Sequence, residues 1–168
     1  NQFGDPAVQG LVVNLRDISE RVALEERLRH QSLHDALTGV ANRALFIDRL
    51  MQALVRRRRQ GGSVAVLFLD LDHFKLVNDT HGHDVGDQVL REVSACLKNF
   101  TRYHDIAARL GGEEFAVVAP NMDVESLAKF AERIRKAVSD LVIQSGNVRL
   151  KVTTSVGVAG WDGHEDAG

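Results

Sequence analysis

The sequence predicts an α/β (α+β) domain in which helices cover a mixed sheet, and three observations carry that reading. Residues 63–69, Ser-Val-Ala-Val-Leu-Phe-Leu, are a nearly unbroken apolar run, as a strand buried on both faces requires. Residues 106–110 and 113–119 are strand-like runs separated by Gly111-Gly112, a hairpin signal, because a tight turn needs positive φ and glycine adopts it at least cost. Elsewhere apolar residues recur at spacings of three and four, the period of a helix with one buried face. Strands interleaved with covering helices argue for a layered sheet domain.

In chain order, residues 11–15 (Leu-Val-Val-Asn-Leu) read as a short strand. From Ile18 the composition turns to Glu, Arg, Leu and Ala, which favour helix, with an apolar stripe of Ile18, Val22, Leu24 and Leu28 too short for a heptad repeat. In the next helix Phe46, Leu50 and Leu54 share one face. Arg56 to Arg59 close it where the macrodipole favours cations, and Gly61-Gly62 ends it; the four arginines read as a solvated helix end. The apolar strand then runs into Asp70. A polar stretch with Lys75, Asn78, Gly82, His83, Gly86 and Asp87 leads into a helix over 84–100, whose Leu90, Val93, Leu97 and Phe100 face one way. After the hairpin a third helix spans 124–140, with Leu127, Ala131, Ile134 and Val138 on its apolar face. Residues 148–158 are β-rich, with Leu150, Val152, Thr154, Val156 and Val158 in alternation.

The 168 residues include 21 Lys and Arg against 23 Asp and Glu, and 44% are hydrophobic. A core of ordinary size is within reach without disulfides or metal staples. The lone Cys96 can form no internal bridge, so a reducing, cytoplasmic setting is the simplest expectation. The net charge of −2 gives no broad basic surface for DNA or RNA. No apolar run approaches the roughly 20 residues of a membrane-spanning helix. The chain opens on Asn1 and closes in a Gly/Asp stretch at Gly168, which reads as a piece of something longer.

Asp70 ends a buried strand, while Glu113 and Glu114 stand at the hairpin turn. If the hairpin lies beside that strand, three carboxylates gather at one sheet edge. Adjacent carboxylates raise one another's pKa, and such an oxygen set suits Mg²⁺ held in part by substrate phosphates. Carboxylates are also common at strand ends and turns for purely structural reasons. The mix of amide, carboxylate and glycine after Asp70 suits a polar, planar ligand, more than helix capping alone requires.

These residues carry a resemblance. Arg109-Leu-Gly-Gly-Glu-Glu-Phe115 resembles the signature of the GGDEF family, the diguanylate cyclases, in its Glu-for-Asp form. Asp35-Ala-Leu-Thr-Gly-Val-Ala-Asn-Arg43 is similar to the family's opening motif, and residues 68–87 to its metal and guanine segment. The resemblance implies a palm-like fold of nucleotidyl-cyclase type, a central, mostly antiparallel sheet with helices around it. It also implies condensation of two GTP into cyclic di-GMP with release of two pyrophosphates. Asp70, Glu113 and the main-chain carbonyl of Leu71 would hold Mg²⁺ (or Mn²⁺), with Glu114 near the second of two ions per site, and Glu113 would help deprotonate the attacking 3′-hydroxyl. Asn78 and Asp87 would read the guanine edge, Gly111 and Gly112 would admit the nucleotide, and His83 is a further substrate-binding candidate. Leu37 and Leu90 either line the base pocket or are ordinary core leucines. Main-chain amides around His73 and Phe74 would meet phosphate, where Lys75 either assists or projects into solvent.

Arg102-Tyr-His-Asp105 matches the family's RxxD inhibitory motif, eight residues from Asp105 to Glu113; an i,i+3 ion pair is its structural alternative. Arg133 would contribute to that site, and Lys129 stands where the family often has Arg, keeping charge but losing the planar fork. The resemblance divides the chain into the end of a PAS-like sensor domain (1–17), a signalling helix or linker (18–34) and a cyclase domain (35–168). Each domain binding one GTP, catalysis implies a homodimer through the linker helix and the catalytic domain. The family pattern continues past residue 159 with a helix bearing phosphate-binding Lys and Arg. Its lack here leads us to expect weak or no activity from this fragment and an exposed apolar patch where that helix belongs. The alternative is a degenerate GTP- or cyclic di-GMP-binding regulatory module, with or without a phosphodiesterase domain following.

Overall fold

The elements run β1 (Ala41–Asn42), α1 (Arg43–Gln60), β2 (Val64–Leu71), α2 (Phe74–His81), α3 (His83–Phe100), β3 (Ile106–Gly111), β4 (Glu114–Pro120), α4 (Val124–Asp140), β5 (Ile143–Ser145), β6 (Val148–Leu150) and β7 (Thr154–Trp161). The computed structural model describes residues 32–162. The sensor end expected at 1–17 and nearly all of the helix expected at 18–34 lie outside the described residues.

Local signals place the long helices. The Asn42 side chain caps α1 by accepting from Leu45 N at 3.1 Å, and Gly61 ends it at φ 74° behind Arg57, Arg58 and Arg59. Asp123 caps α4 by accepting from Ser126 N at 2.8 Å. Side-chain caps of this kind satisfy amides that a helix leaves unpaired.

The main sheet has the order β1-β3-β4-β2-β7, antiparallel throughout except for the parallel pair β1–β3, and β5–β6 is a separate hairpin. Alternation along β2 divides the core in two. Ala65, Leu67, Leu69 and Leu71 pack against α3 and α4 through Val89, Val93, Leu97, Leu127, Ile134 and Val138. Val64 and Val66 face α1 through Leu45, Phe46 and Ala53, with Leu50 and Leu54 half-buried beside them. Each fully buried leucine or valine contributes about 1.5–3 kcal/mol, so the face covered by two helices supplies most of the hydrophobic stabilisation.

Three features depart from the sequence reading. The polar stretch after Asp70 contains a helix of its own, α2, which sequence periodicity misses because it is eight residues long and buries only Phe74. The β-rich stretch 148–158 is two strands in different sheets: β6 turns back on β5, where Ile143 is fully buried, and β7 joins the main sheet. Phe68 is 46% exposed, against burial of β2 on both faces. Its neighbour across the ladder is Gly157, which offers no side chain to cover it, and Phe46 meets it only edge-on at 6.3 Å. Among the described residues an apolar groove of about 510 Å³ lies on this side between α1 (Leu50, Met51, Leu54, Val55) and the sheet (Val64, Val66, Ala159, Trp161). Cys96 is free and buried. Among the described residues no helix is long and apolar enough to cross a membrane.

Candidate active site

Strand pairing brings the carboxylates to one end of the sheet. Asp70 and Glu114 are directly opposite in the antiparallel β2–β4 ladder, which puts both side chains on the same face. Both are exposed, and they line a cavity of about 360 Å³ with Phe68, Leu110, Ser155 and Gly157. Glu113 lies in the turn, and its carbonyl accepts from Leu71 N at 3.4 Å. Gly112 takes φ 48°, a left-handed conformation, and nothing lies within 4 Å of where its Cβ would stand. The turn therefore needs glycine for its shape and leaves open space above it.

The three carboxylates share the sheet end without converging. No group of three His, Cys, Asp or Glu able to hold a metal exists among the described residues. As oxygen donors the carboxylates are of the kind a hard divalent cation takes, and Asp70 and Glu114 stand on one face of the sheet end with Glu113 in the adjoining turn.

Residues that the sequence reading did not single out hold this end in place. The buried Thr154 hydroxyl donates to the Asp70 carbonyl at 2.8 Å. Asp72 accepts from Thr153 Oγ1 at 2.6 Å and Ser155 Oγ at 2.7 Å, and its amide donates to Thr153 O at 3.0 Å. The Thr153 and Ser155 hydroxyls hold the Asp72 carboxyl below the usual carboxylate range. The sequence clue was the three consecutive hydroxyl residues Thr153-Thr154-Ser155, of which Ser155 and Thr154 sit across the ladder from Asp70 and Leu71.

Arg109 ties the turn to the opening motif. Its Nε and Nη2 donate to Gly112 O at 3.0 and 2.8 Å, and its Nη1 donates to Asp35 Oδ1 and Oδ2 at 3.2 and 3.3 Å. Asp35 also accepts from Thr38 N at 2.9 Å and Thr38 Oγ1 at 2.6 Å. A lysine has one point charge and no fork to serve both partners. Arg109→Lys is therefore expected to lower stability by about 1 kcal/mol, read by thermal melting. Burial pushes the Asp35 carboxyl up, but the Thr38 and Arg109 hydrogen bonds outweigh it and the net direction is down. A carboxylate lowered in the folded state stabilises the fold above its unfolded pKa, and that contribution is lost as pH falls through the folded value. The Tm difference between the wild type and Arg109→Ala should accordingly narrow as pH drops from 7 towards 3; a gap that widens on acidification would contradict this.

The α2–α3 pair carries the remaining candidates. Asn78 and Asp87 are half-buried, whereas His73, Lys75 and His83 are exposed. Arg91 approaches Asp87 at 4.0 Å on an exposed helix face. Leu90 is 2% exposed and Leu37 is half-buried, both against the same core cluster, which is the position of core leucines. Phe74 is buried, and His73 turns the chain into α2 at φ 59°.

The model of the diguanylate cyclase GGDEF domain matches residues 32–168. The chain belongs to the GGDEF family. It is similar to the diguanylate cyclase DgcP of Pseudomonas aeruginosa, 39% identical over 140 residues, 83% of this chain and 21% of that protein. It is similar also to the response regulator PleD of Caulobacter vibrioides, 42% identical over 135 residues, 79% of this chain and 30% of PleD. A solved structure, the coiled coil and GGDEF domain of DgcB from Caulobacter crescentus in complex with c-di-GMP, superposes with a TM-score of 0.80 at 34% identity, covering 87% of this chain and 78% of that one. The chain spans well under half the length of both curated relatives.

In this GGDEF domain the RxxD residues form a tight turn between α3 and β3. Asp105 accepts from the main-chain amide of Arg102 at 2.8 Å, and its own amide donates to Arg102 O at 3.0 Å. The Asp105 carboxylate is thus engaged by backbone, not by the Arg102 guanidinium, and the i,i+3 ion pair is not formed. Arg133 lies over the Phe100 ring at 5.6 Å, and Lys129 pairs with Glu125 at 2.6 Å one turn away on α4.

Proposed function

We propose that this chain is the catalytic domain of a diguanylate cyclase, which condenses two GTP into cyclic di-GMP and releases two pyrophosphates. The observation that carries the reading is the opposition of Asp70 and Glu114 at the sheet end beside the Glu113 turn. Asp70, Glu113, Glu114 and the Leu71 carbonyl would hold Mg²⁺ or Mn²⁺, two ions per site, whose charge would activate the 3′-oxygen and offset that of the leaving pyrophosphate. Glu113 takes the proton of the 3′-hydroxyl. Asn78 and Asp87 bind the guanine edge, the carboxylate accepting from N1–H and N2–H, and main-chain amides at His73 and Phe74 meet phosphate with Lys75 nearby. The open space over Gly112 admits the nucleotide backbone.

One GTP per domain requires two domains face to face, so the working unit is a homodimer in which each 3′-hydroxyl attacks the partner's α-phosphate. Arg102, Asp105, Arg133 and Lys129 form an inhibitory site for product. That a DgcB structure holds c-di-GMP supports product binding by domains of this fold. The test is Mg²⁺-dependent conversion of GTP by the protein, with product identified by mass spectrometry. Binding of GTP without turnover in the full-length protein would favour the regulatory-module reading instead.

A further inference from the structure

We propose that Gly86 is a positioning residue for guanine recognition, because its missing side chain leaves the space in which the Asn78 carboxamide lies. The inference rests on the reading of Asn78 as a guanine contact. A Cβ built on Gly86 would stand 1.9 Å from Asn78 Oδ1, 3.0 Å from Asn78 Cγ and 3.3 Å from Phe74 Cζ. Real Cβ atoms do not come as close as the Oδ1 contact requires, so the carboxamide would have to move, whereas the Phe74 edge need give only a few tenths of an ångström. At Gly82, Gly111 and Gly112 the same construction meets nothing within 4 Å.

Conformation does not explain this glycine. Gly86 is buried inside α3 and its φ is not positive, so alanine could adopt its backbone. On propensity alone alanine would be better there, since glycine is among the poorest residues in a helix interior. What glycine provides is room. It lets the polar end of Asn78, on α2, lie against the first turn of α3, one residue before Asp87. Both proposed guanine contacts are thereby held by a single helix crossing. An added methyl would displace mainly the movable end of Asn78, so the fold should survive while the amide leaves its place.

Four proteins test this: wild type, Gly86→Ala, Asn78→Ala and the double variant, each followed by calorimetric binding of GTP and of ATP with Mg²⁺ and by melting without nucleotide. Asn78→Ala and Gly86→Ala are each expected to weaken GTP binding about tenfold and to leave ATP binding within twofold. The double variant should bind GTP about as well as Asn78→Ala alone, because the methyl then meets only the edge of the Phe74 ring, which need give by only a few tenths of an ångström. Melting supplies a readout independent of nucleotide. Gly86→Ala should lower Tm or leave it unchanged when Asn78 is present, and raise it by up to roughly 2–4 °C when Asn78 is alanine, since helix propensity is gained once the carboxamide clash is gone and only the tight Phe74 contact remains. Additive losses in the double variant, or unaltered GTP binding by Gly86→Ala alongside a weakened Asn78→Ala, would overturn the proposal. Unaltered GTP binding by Asn78→Ala would overturn the underlying guanine reading instead, and a wild-type protein that binds no GTP would remove both.

Discussion

Replacing Asp70 or Glu114 by alanine is expected to lower formation of cyclic di-GMP by about 10³-fold or more while leaving the fold intact. The two side chains are opposite on one face of the β2–β4 ladder and both are exposed. Neither makes a side-chain hydrogen bond to another described residue, so alanine removes a ligand without breaking a contact. Exposed positions away from caps and cores usually change stability by less than about 0.5 kcal/mol. Tm should therefore stay level. Turnover should fall because the charge developing on the leaving pyrophosphate loses its counter-ion, a loss of about 4 kcal/mol in transition-state stabilisation. Asp70→Asn sharpens the test, since it keeps the shape and removes the charge. Product formation within threefold of wild type in any of these variants would sink the site assignment.

Much of this was readable in the sequence wherever a residue's neighbours along the chain set its environment. The spacing of Leu127, Ala131, Ile134 and Val138 gave α4 to its observed bounds, because its apolar period is uninterrupted. The hairpin was readable from its glycine pair, since glycine takes the φ 48° of position 112 cheaply, but its turn is Gly112-Glu113, one residue later than expected, because a register shift after Arg109 draws Gly111 into β3 opposite Glu114. What escaped depends on partners far away in sequence. Arg109 lies inside a recognised motif, yet its role emerges only with Asp35, 74 residues away. Asp72 reads as one more acidic residue until the chain returns through Thr153 and Ser155 to meet it. Helix α2 is hidden for a different reason: with Phe74 alone buried, it leaves no apolar period to detect. Burial of β2 on both faces failed at Phe68 because strand composition does not reveal that Gly157 will be its neighbour.

Arg102→Ala should weaken product inhibition by 10- to 100-fold and leave the initial rate and the KM for GTP within about twofold. The size follows from losing a bidentate, charge-assisted contact, about 1.5–3 kcal/mol. The selectivity follows from the turn. Asp105 holds the main-chain amide of Arg102 at 2.8 Å, and alanine keeps that amide, so the turn between α3 and β3 survives the loss of the guanidinium. Asp105→Ala removes the turn's own hydrogen bond as well as the proposed product contact, so it should lower Tm where Arg102→Ala does not. Lys129 provides a change in the opposite direction. It is paired with Glu125 on an exposed face, where such pairs contribute little, so Lys129→Arg should retain the pair, add a planar fork towards product and tighten inhibition severalfold. The measurements are the inhibition constant for cyclic di-GMP and its calorimetric Kd beside that for GTP. Parallel loss of GTP and product binding in Arg102→Ala would mean that the turn had collapsed, whereas unchanged inhibition would place the product site elsewhere on the domain.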